Sequence, residues 1–187
     1  MKKQKLTAYL SGLYMLSLQF SAALEAAISS KNLKKGQVLS HTAAIPGIWF
    51  IESGLAKGVY YDQNGKEHIT RFWKQGEIML LAKGVQPPAF TAEHIVLLED
   101  SRLATLTSAS LIFLYHTFPE ASKLSAKMLL TDRNLGELRS YLCSLGGREA
   151  YRIFKQHFPS HRLLLQDIAS YLEISPGRLS EIRRKST

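Results

Sequence analysis

The sequence predicts an α+β chain: an antiparallel sandwich or barrel between helical segments, followed by two short C-terminal helices around a tight turn. Three observations carry that expectation. Short β-prone runs separated by glycine-bearing turns fill residues 38–106. Apolar side chains then recur at alternating four- and three-residue steps from Leu124 to Leu145. Finally, residues 163–185 join two apolar-faced segments through a strong helix start.

With 187 residues the chain is long enough to bury a substantial core in one large or two small domains; two unequal ones are expected. The formal net charge is +9, with the excess near the two ends: Lys2, Lys3, Lys5, Lys31, Lys34 and Lys35 early, Arg178, Arg183, Arg184 and Lys185 late. Such a balance favours a polyanionic partner, nucleic acid before membrane, although a merely soluble basic protein has the same composition. Cys143 is the single cysteine. An intrachain disulfide is therefore impossible, four-thiolate iron–sulfur or zinc ligation within one chain is excluded, and a reducing cytoplasm is the expected location.

The N-terminus reads in two ways. Lys2, Lys3 and Lys5 followed by an apolar run to Ala23 imitate a secretory signal. Against this, Leu6, Tyr9, Leu10, Leu13, Leu16, Phe20, Leu24 and Ile28 recur at three- and four-residue steps, interrupted by Ser11, Ser17, Gln19 and Ser21. That periodicity predicts one amphipathic helix or two. No other stretch approaches the ~20 apolar residues of a membrane-spanning helix.

The β-prone runs are Val38-Leu39, residues 48–51, 56–61, 68–73, 95–98 and 103–106. Pro46-Gly47, Ser53-Gly54, Asn64-Gly65 and Gly76 punctuate them with turn chemistry. Asn64-Gly65 predicts a two-residue hairpin pairing Tyr61 with His68 and Tyr60 with Ile69. Helical texture resumes at Ser108. Leu124, Met128, Thr131, Leu135, Leu138, Leu142 and Leu145 form a heptad seam, for which the same helix of a second subunit is the economical partner. Packing against the chain's own β-domain is the other reading of that seam. Gly146-Gly147 predicts the helix end and a hinge, and residues 148–158 predict a helix stopped by Pro159.

In the last stretch, Ile168, Ala169, Leu172 and Ile174 line one side of the first segment, while Leu179 and Ile182 line the second. Ser175 is a good N-cap, and Pro176 follows where a missing N–H costs nothing. The pattern is that of a helix-turn-helix, whose second helix enters a DNA major groove; an ordinary helical hairpin is the alternative.

This order of parts resembles the Crp/Fnr family of bacterial transcription regulators, above all its short Bacteroidetes-type members. The resemblance rests on residues 33–39, 50–57, the Asn64-Gly65-Lys66-Glu67 hairpin, Gly76-Glu77, residues 97–101, residues 167–172, and Leu179-Ser180-Glu181-Ile182-Arg183. It implies an antiparallel β-roll or jelly roll of cyclic-nucleotide-binding type with flanking helices over 1–118. A dimerisation helix would span 119–146 and a small helix-turn-helix DNA-binding domain 147–187. It also implies a homodimer contact through Leu124, Met128, Leu135, Leu138 and Leu142.

In that family a Gly-Glu pair leads to an Arg followed by Ser or Thr, the carboxylate taking the ribose hydroxyl and the guanidinium the cyclic phosphate. Gly76-Glu77 matches, but residues 87–92 carry no arginine and Lys83 is the only lysine of the intervening loop. The cassette, with Gly76, Glu77, Met79, Phe90 and Thr91, is therefore not expected to bind cAMP or cGMP in the usual way. Phe90, Met79, Leu80 and Leu81 would line it with apolar surface, leaving an unidentified small-molecule effector or a filled pocket.

The resemblance places Arg, Glu and Arg at base-reading positions where this chain has Pro176, Gly177 and Glu181. Glu181 could accept from cytosine N4 but cannot donate to guanine. Arg178, Ser180, Arg184 and Lys185 remain for phosphates and one base. The expected wing hairpin has no counterpart after these residues, and Glu173 stands where the turn usually has glycine, a strained place if its φ is positive.

The sequence carries no nucleophile elbow, paired-carboxylate site or phosphate-binding glycine loop, so no enzymatic activity is expected. His157 and His161 are split by Pro159, which argues against a metal pair. Cys143, near a helix C-terminus, reads as structural. The expectation is a cytoplasmic, dimeric, duplex-DNA-binding regulator with no cofactor and no membrane partner. The alternative is a small-ligand or protein-interaction sensor module that has lost sequence-specific DNA binding.

Overall fold

The computed structural model describes residues 4–39, 47–80 and 94–185. They form two compact units, residues 4–56, 73–80 and 94–132 in the first and 57–72 and 133–185 in the second. Two helices open the chain, α1 (Gln4–Leu13) and α2 (Leu18–Ala27). Eight strands follow: β1 (Ser29–Leu33), β2 (Val38–Leu39), β3 (Ile48–Ser53), β4 (Leu55–Tyr61), β5 (Glu67–Lys74), β6 (Ile78–Met79), β7 (His94–Leu97) and β8 (Ser101–Leu106). The remaining helices are α3 (Ser108–Thr117), α4 (Pro119–Ser144), α5 (Gly147–His157), α6 (Leu165–Tyr171) and α7 (Pro176–Arg184). This is the expected α+β architecture: an antiparallel β-roll with flanking helices, a long helix and a small helical C-terminal region.

One sheet has the order β1-β8-β3-β6 and the other β2-β7-β4-β5. In the first, β3 faces β8 with Phe50 opposite Ala104 and Ile51 opposite Leu103, and an irregularity follows between Ile51 and Ser53. The next residue, Gly54, sits at φ +128, and an added Cβ would lie 2.1 Å from Ser101 Oγ. Only glycine fits both the backbone and the space.

The core of the first unit explains its helices. Leu6 and Leu10 of α1 and Phe20 and Leu24 of α2 meet Phe50, Leu106, Leu114 and Leu124 in one apolar cluster. The interruptions in the N-terminal apolar run are structural: Ser17 caps α2, its side chain accepting from Phe20 N. Thr107 caps α3 in the same way. Near the start of β2, Lys34 Nζ and the Lys35 amide both donate to Asp100, at 2.7 and 3.0 Å, and the Gly36 amide donates to Leu97 O.

The second unit is held by rings. Phe72 of β5 lies 5.8 Å from Phe154, 5.8 Å from Phe158 and 5.1 Å from Tyr171, centroid to centroid. Leu142, Ile168, Leu179 and Ile182 are buried in the same unit. Such an aromatic cluster adds to plain area burial through its edge and tilted contacts.

Three features depart from the sequence reading. The Asn64-Gly65 hairpin is displaced by one residue: Tyr60, not Tyr61, stacks on His68 at 4.9 Å, and Tyr61 instead donates to Glu67 at 3.2 Å. The cause is Asp62, whose Oδ1 accepts from the Asn64 and Lys66 amides while its own N–H donates to Lys66 O, closing a three-residue loop. Strands β1 and β6 have no counterpart among the β-prone runs of the sequence. And although α4 ends at Ser144 before the glycine pair, Gly147 serves close packing: a Cβ there would lie 3.1 Å from Ile182 Cδ1.

Candidate functional site

The helix pair α6 and α7 is built as its sequence suggests. Ser175 Oγ accepts from the Arg178 amide at 3.1 Å, and Pro176 is the first residue of α7. Ile168, Ala169, Leu172, Leu179 and Ile182 are buried, so α7 is set by its apolar side and presents the opposite one to solvent. The turn is closed by the Ile174 amide on Ala169 O and the Glu173 amide on Ser170 O. Glu173 lies at φ +55, the left-handed conformation that a carbon side chain disfavours. Its carboxylate accepts from Arg139 at 2.8 Å.

Of the residues expected to meet DNA, Arg178, Ser180 and Arg184 are exposed on α7 and Lys185 at its C-cap. Glu181 lies between two of them, accepting from Lys185 Nζ at 2.6 Å and Arg178 at 2.7 Å. Those hydrogen bonds, from Lys185 and then Arg178, pull its carboxyl down to about 2, so it is ionised at any working pH. Apart from its chain neighbours and its own helix backbone, Gly177 has no atom within 4 Å of where a Cβ would stand. Arg183 behaves differently: it donates to Tyr151 Oη at 3.0 Å and to Ser160 O at 3.3 Å, with its guanidinium 5.5 Å from the Tyr151 ring centre. It braces α7 against α5.

Sequence reasoning missed a polar group that holds α6. Lys57 Nζ donates to Glu67 Oε1 at 2.6 Å and to Asp167 Oδ1 at 3.0 Å. Lys57 and Asp167 are 8% and 6% exposed, too buried for either charge without the other. The Ile69 amide also donates to Ser170 Oγ. Lys57 interrupts an otherwise apolar strand, the one signal the sequence offers. Cys143 is half-buried, its thiol facing Tyr171 O and pushed up by burial.

In the cassette, Gly76 lies at φ +88 and its amide donates to Ile51 O, while Glu77 O accepts from the Ile51 amide. Glu77 Oε2 accepts from the Lys74 amide at 2.9 Å, so the carboxylate expected to meet a ribose is engaged by its own turn. Burial pushes the Glu77 carboxyl upward, and burial does the same to the Tyr9 phenol, with the Glu77 charge adding to it. Met79 is fully buried, paired with Trp49 across β3 and β6. Phe90 and Thr91, with Leu81 and Lys83, lie outside the described residues. Along the seam, Leu124 and Leu142 are buried within this chain, Met128 packs against the core of the first unit, and Leu135 and Leu138 are half-buried. Among the described residues no group of three or more His, Cys, Asp or Glu side chains lies close enough to hold a metal ion. No described helix is long and apolar enough to cross a membrane.

No protein-family model matches the chain, and no curated protein matches it in sequence. Solved structures do match in fold. FixK2 from Bradyrhizobium japonicum is 14% identical, with 84% of this chain and 83% of that one covered and a TM-score of 0.71. A protein from Eubacterium rectale, described as a transcriptional regulator of the Crp/Fnr family, is 11% identical over 91% of this chain and 83% of its own, at TM-score 0.67. The c-di-GMP-responsive global regulator CLP of Xanthomonas campestris is 14% identical over 90% and 91%, at TM-score 0.63. The chain therefore has the fold of Crp/Fnr-type regulators.

Proposed function

We propose that this chain is a dimeric DNA-binding transcription regulator of Crp/Fnr type, non-enzymatic, whose β-roll answers to something other than a conventionally bound cyclic nucleotide. The observation that carries the reading is α7: its buried Leu179 and Ile182 orient Arg178, Arg184 and Lys185 outward on a helix whose start is fixed by Ser175. Cations so placed neutralise phosphates, and the counterions they release drive binding. Base reading is reduced, because Gly177 has no side chain and Glu181 can only accept, as from cytosine N4. The seam residues Leu135 and Leu138 supply the dimer face. The Glu77 carboxylate, turned to Lys74, supports the view that cAMP is not held in the usual way.

A gel-shift titration of the full chain with duplex DNA at low salt tests the proposal; a retarded complex is expected, and its absence with folded dimer would remove it. A second reading is favoured by one observation, the Arg178–Glu181–Lys185 cluster, which satisfies within α7 two of the cations DNA would use. On that reading the chain is a sensor module without sequence-specific DNA binding, and a sequence-shuffled duplex would compete as well as any other.

A further inference from the structure

A cleft of about 550 Å³ opens in the first unit where α1, α2, α3 and the first half of α4 meet the ends of β3 and β8. Its floor is closed to water: Phe20, Leu24, Leu106, Leu114 and Leu124 are each under 5% exposed. Its rim is apolar as well, with Ile112 and Leu129 exposed there. Among the described residues that line it, heteroatoms come from the side chains of Met128, Tyr115, His116 and Ser125, and none is a lysine, arginine, aspartate or glutamate. A nucleotide, sugar or phosphate would lose its hydration against these described walls, whose side chains are almost all apolar. Branched aliphatic walls instead accept a flexible hydrocarbon body, and a volume of this order is that of a small-molecule site. Among the described lining residues His116, in the last turn of α3 at the exposed rim, brings an imidazole that can hydrogen-bond an anionic oxygen.

We propose that this cleft binds a medium- to long-chain aliphatic monocarboxylate, its hydrocarbon lying over the floor of Leu24, Leu114 and Leu124 and its carboxylate meeting His116 at the rim. One chain takes one acid. The site shares no residue with Gly76, Glu77, Met79, Phe90 and Thr91, so it is a second place at which the roll could sense a molecule, and it does not depend on the reading of α7.

Calorimetric titration of the full chain with octanoate, decanoate, dodecanoate and tetradecanoate, each below its micelle concentration, tests the proposal. Affinity is expected to rise about fourfold for each methylene added, the value of burying one such group, at one acid per chain. Dodecanol should bind roughly two- to fivefold more weakly than dodecanoate, and the exposed-site variant His116→Ala should erase that difference. Ser125→Trp, which puts an indole into the cleft from half-exposed α4, should abolish binding, with its melting temperature reporting whether it folds. Absence of saturable binding, equal affinities for octanoate and tetradecanoate, or unchanged binding by folded Ser125→Trp would each overturn the proposal. So would failure of every acid together with dissociation of a dimer by Ser125→Trp, which would mean that a second copy of the chain covers the cleft.

Discussion

Lys57 on β4 and Asp167 in the first turn of α6 form an ion pair of 3.0 Å, nearly sealed from water, across 110 positions of sequence. Asp167 Oδ2 is buried with no hydrogen-bond partner, so this carboxylate depends on Lys57 for its charge to be tolerated. Removing one member of such a pair leaves an uncompensated buried charge and costs about 3–5 kcal/mol. Lys57→Met is expected to lose an amount of that order in urea unfolding, and Lys57→Met with Asp167→Leu to recover most of it.

The same pair predicts an alkaline limit. Burial alone would lower the Lys57 ammonium, but its hydrogen bonds to Glu67 and Asp167 carry it above its ordinary value. A folded value above the unfolded one means that the stabilisation is complete below about pH 10.4, the unfolded value, and is lost as pH rises through the folded one. The unfolding free energies of wild type and Lys57→Met should differ by a constant amount between about pH 8 and 10 and begin to draw together above about pH 10.4, the difference isolating Lys57 from tyrosines that titrate nearby.

Gly54→Ala is expected to destabilise by more than about 2 kcal/mol, because it combines a disfavoured backbone with a side-chain clash. The Cβ would meet Ser101 Oγ at 2.1 Å and Ser101 Cα at 3.0 Å. Gly54→Ala with Ser101→Gly should recover only part, since φ +128 is unaffected; thermal melts distinguish the two contributions.

Glu173 makes the opposite prediction. Replacement by glycine relieves a positive φ worth roughly 1 kcal/mol, while the exposed pair with Arg139 returns less than that. Glu173→Gly should therefore melt slightly higher than wild type, and Glu173→Gln, which removes only the charge, slightly lower.

Those residues show what was legible in the sequence. The turn at Glu173, the cap at Ser175, the start at Pro176 and the apolar sides of α6 and α7 are local, and local chemistry reads directly. Strand β1 could not be read: in Ser29-Ser30-Lys31-Asn32-Leu33 four of five residues are exposed, and it is a strand only because its backbone pairs with β8. β6 is two residues long and carries no periodicity. The hairpin register failed on one side chain, Asp62, whose carboxylate outweighs the preference of Asn64-Gly65. In the candidate site the outward cations are visible in the sequence, but Arg183, indistinguishable there from the rest of the basic excess, is turned inward to Tyr151. The Lys57–Asp167 pair is non-local and left only the oddity of a lysine within an apolar strand.

Gly177→Arg bears on the recognition surface itself. The position is open and its φ is not left-handed, so arginine should fold without penalty and help the helix by up to about 1 kcal/mol relative to glycine. If α7 faces DNA, this variant should bind duplex several-fold more tightly and steepen the salt dependence by about one unit of slope.

The most direct test of the account is a salt titration of duplex-DNA binding by fluorescence anisotropy, wild type beside Arg184→Ala with Lys185→Ala. The logarithm of the wild-type affinity is predicted to fall linearly with the logarithm of salt concentration, and the variant to bind more weakly with a slope shallower by roughly two. A folded wild-type protein that shows no binding at low salt, or a slope indifferent to the loss of both cations, would contradict it.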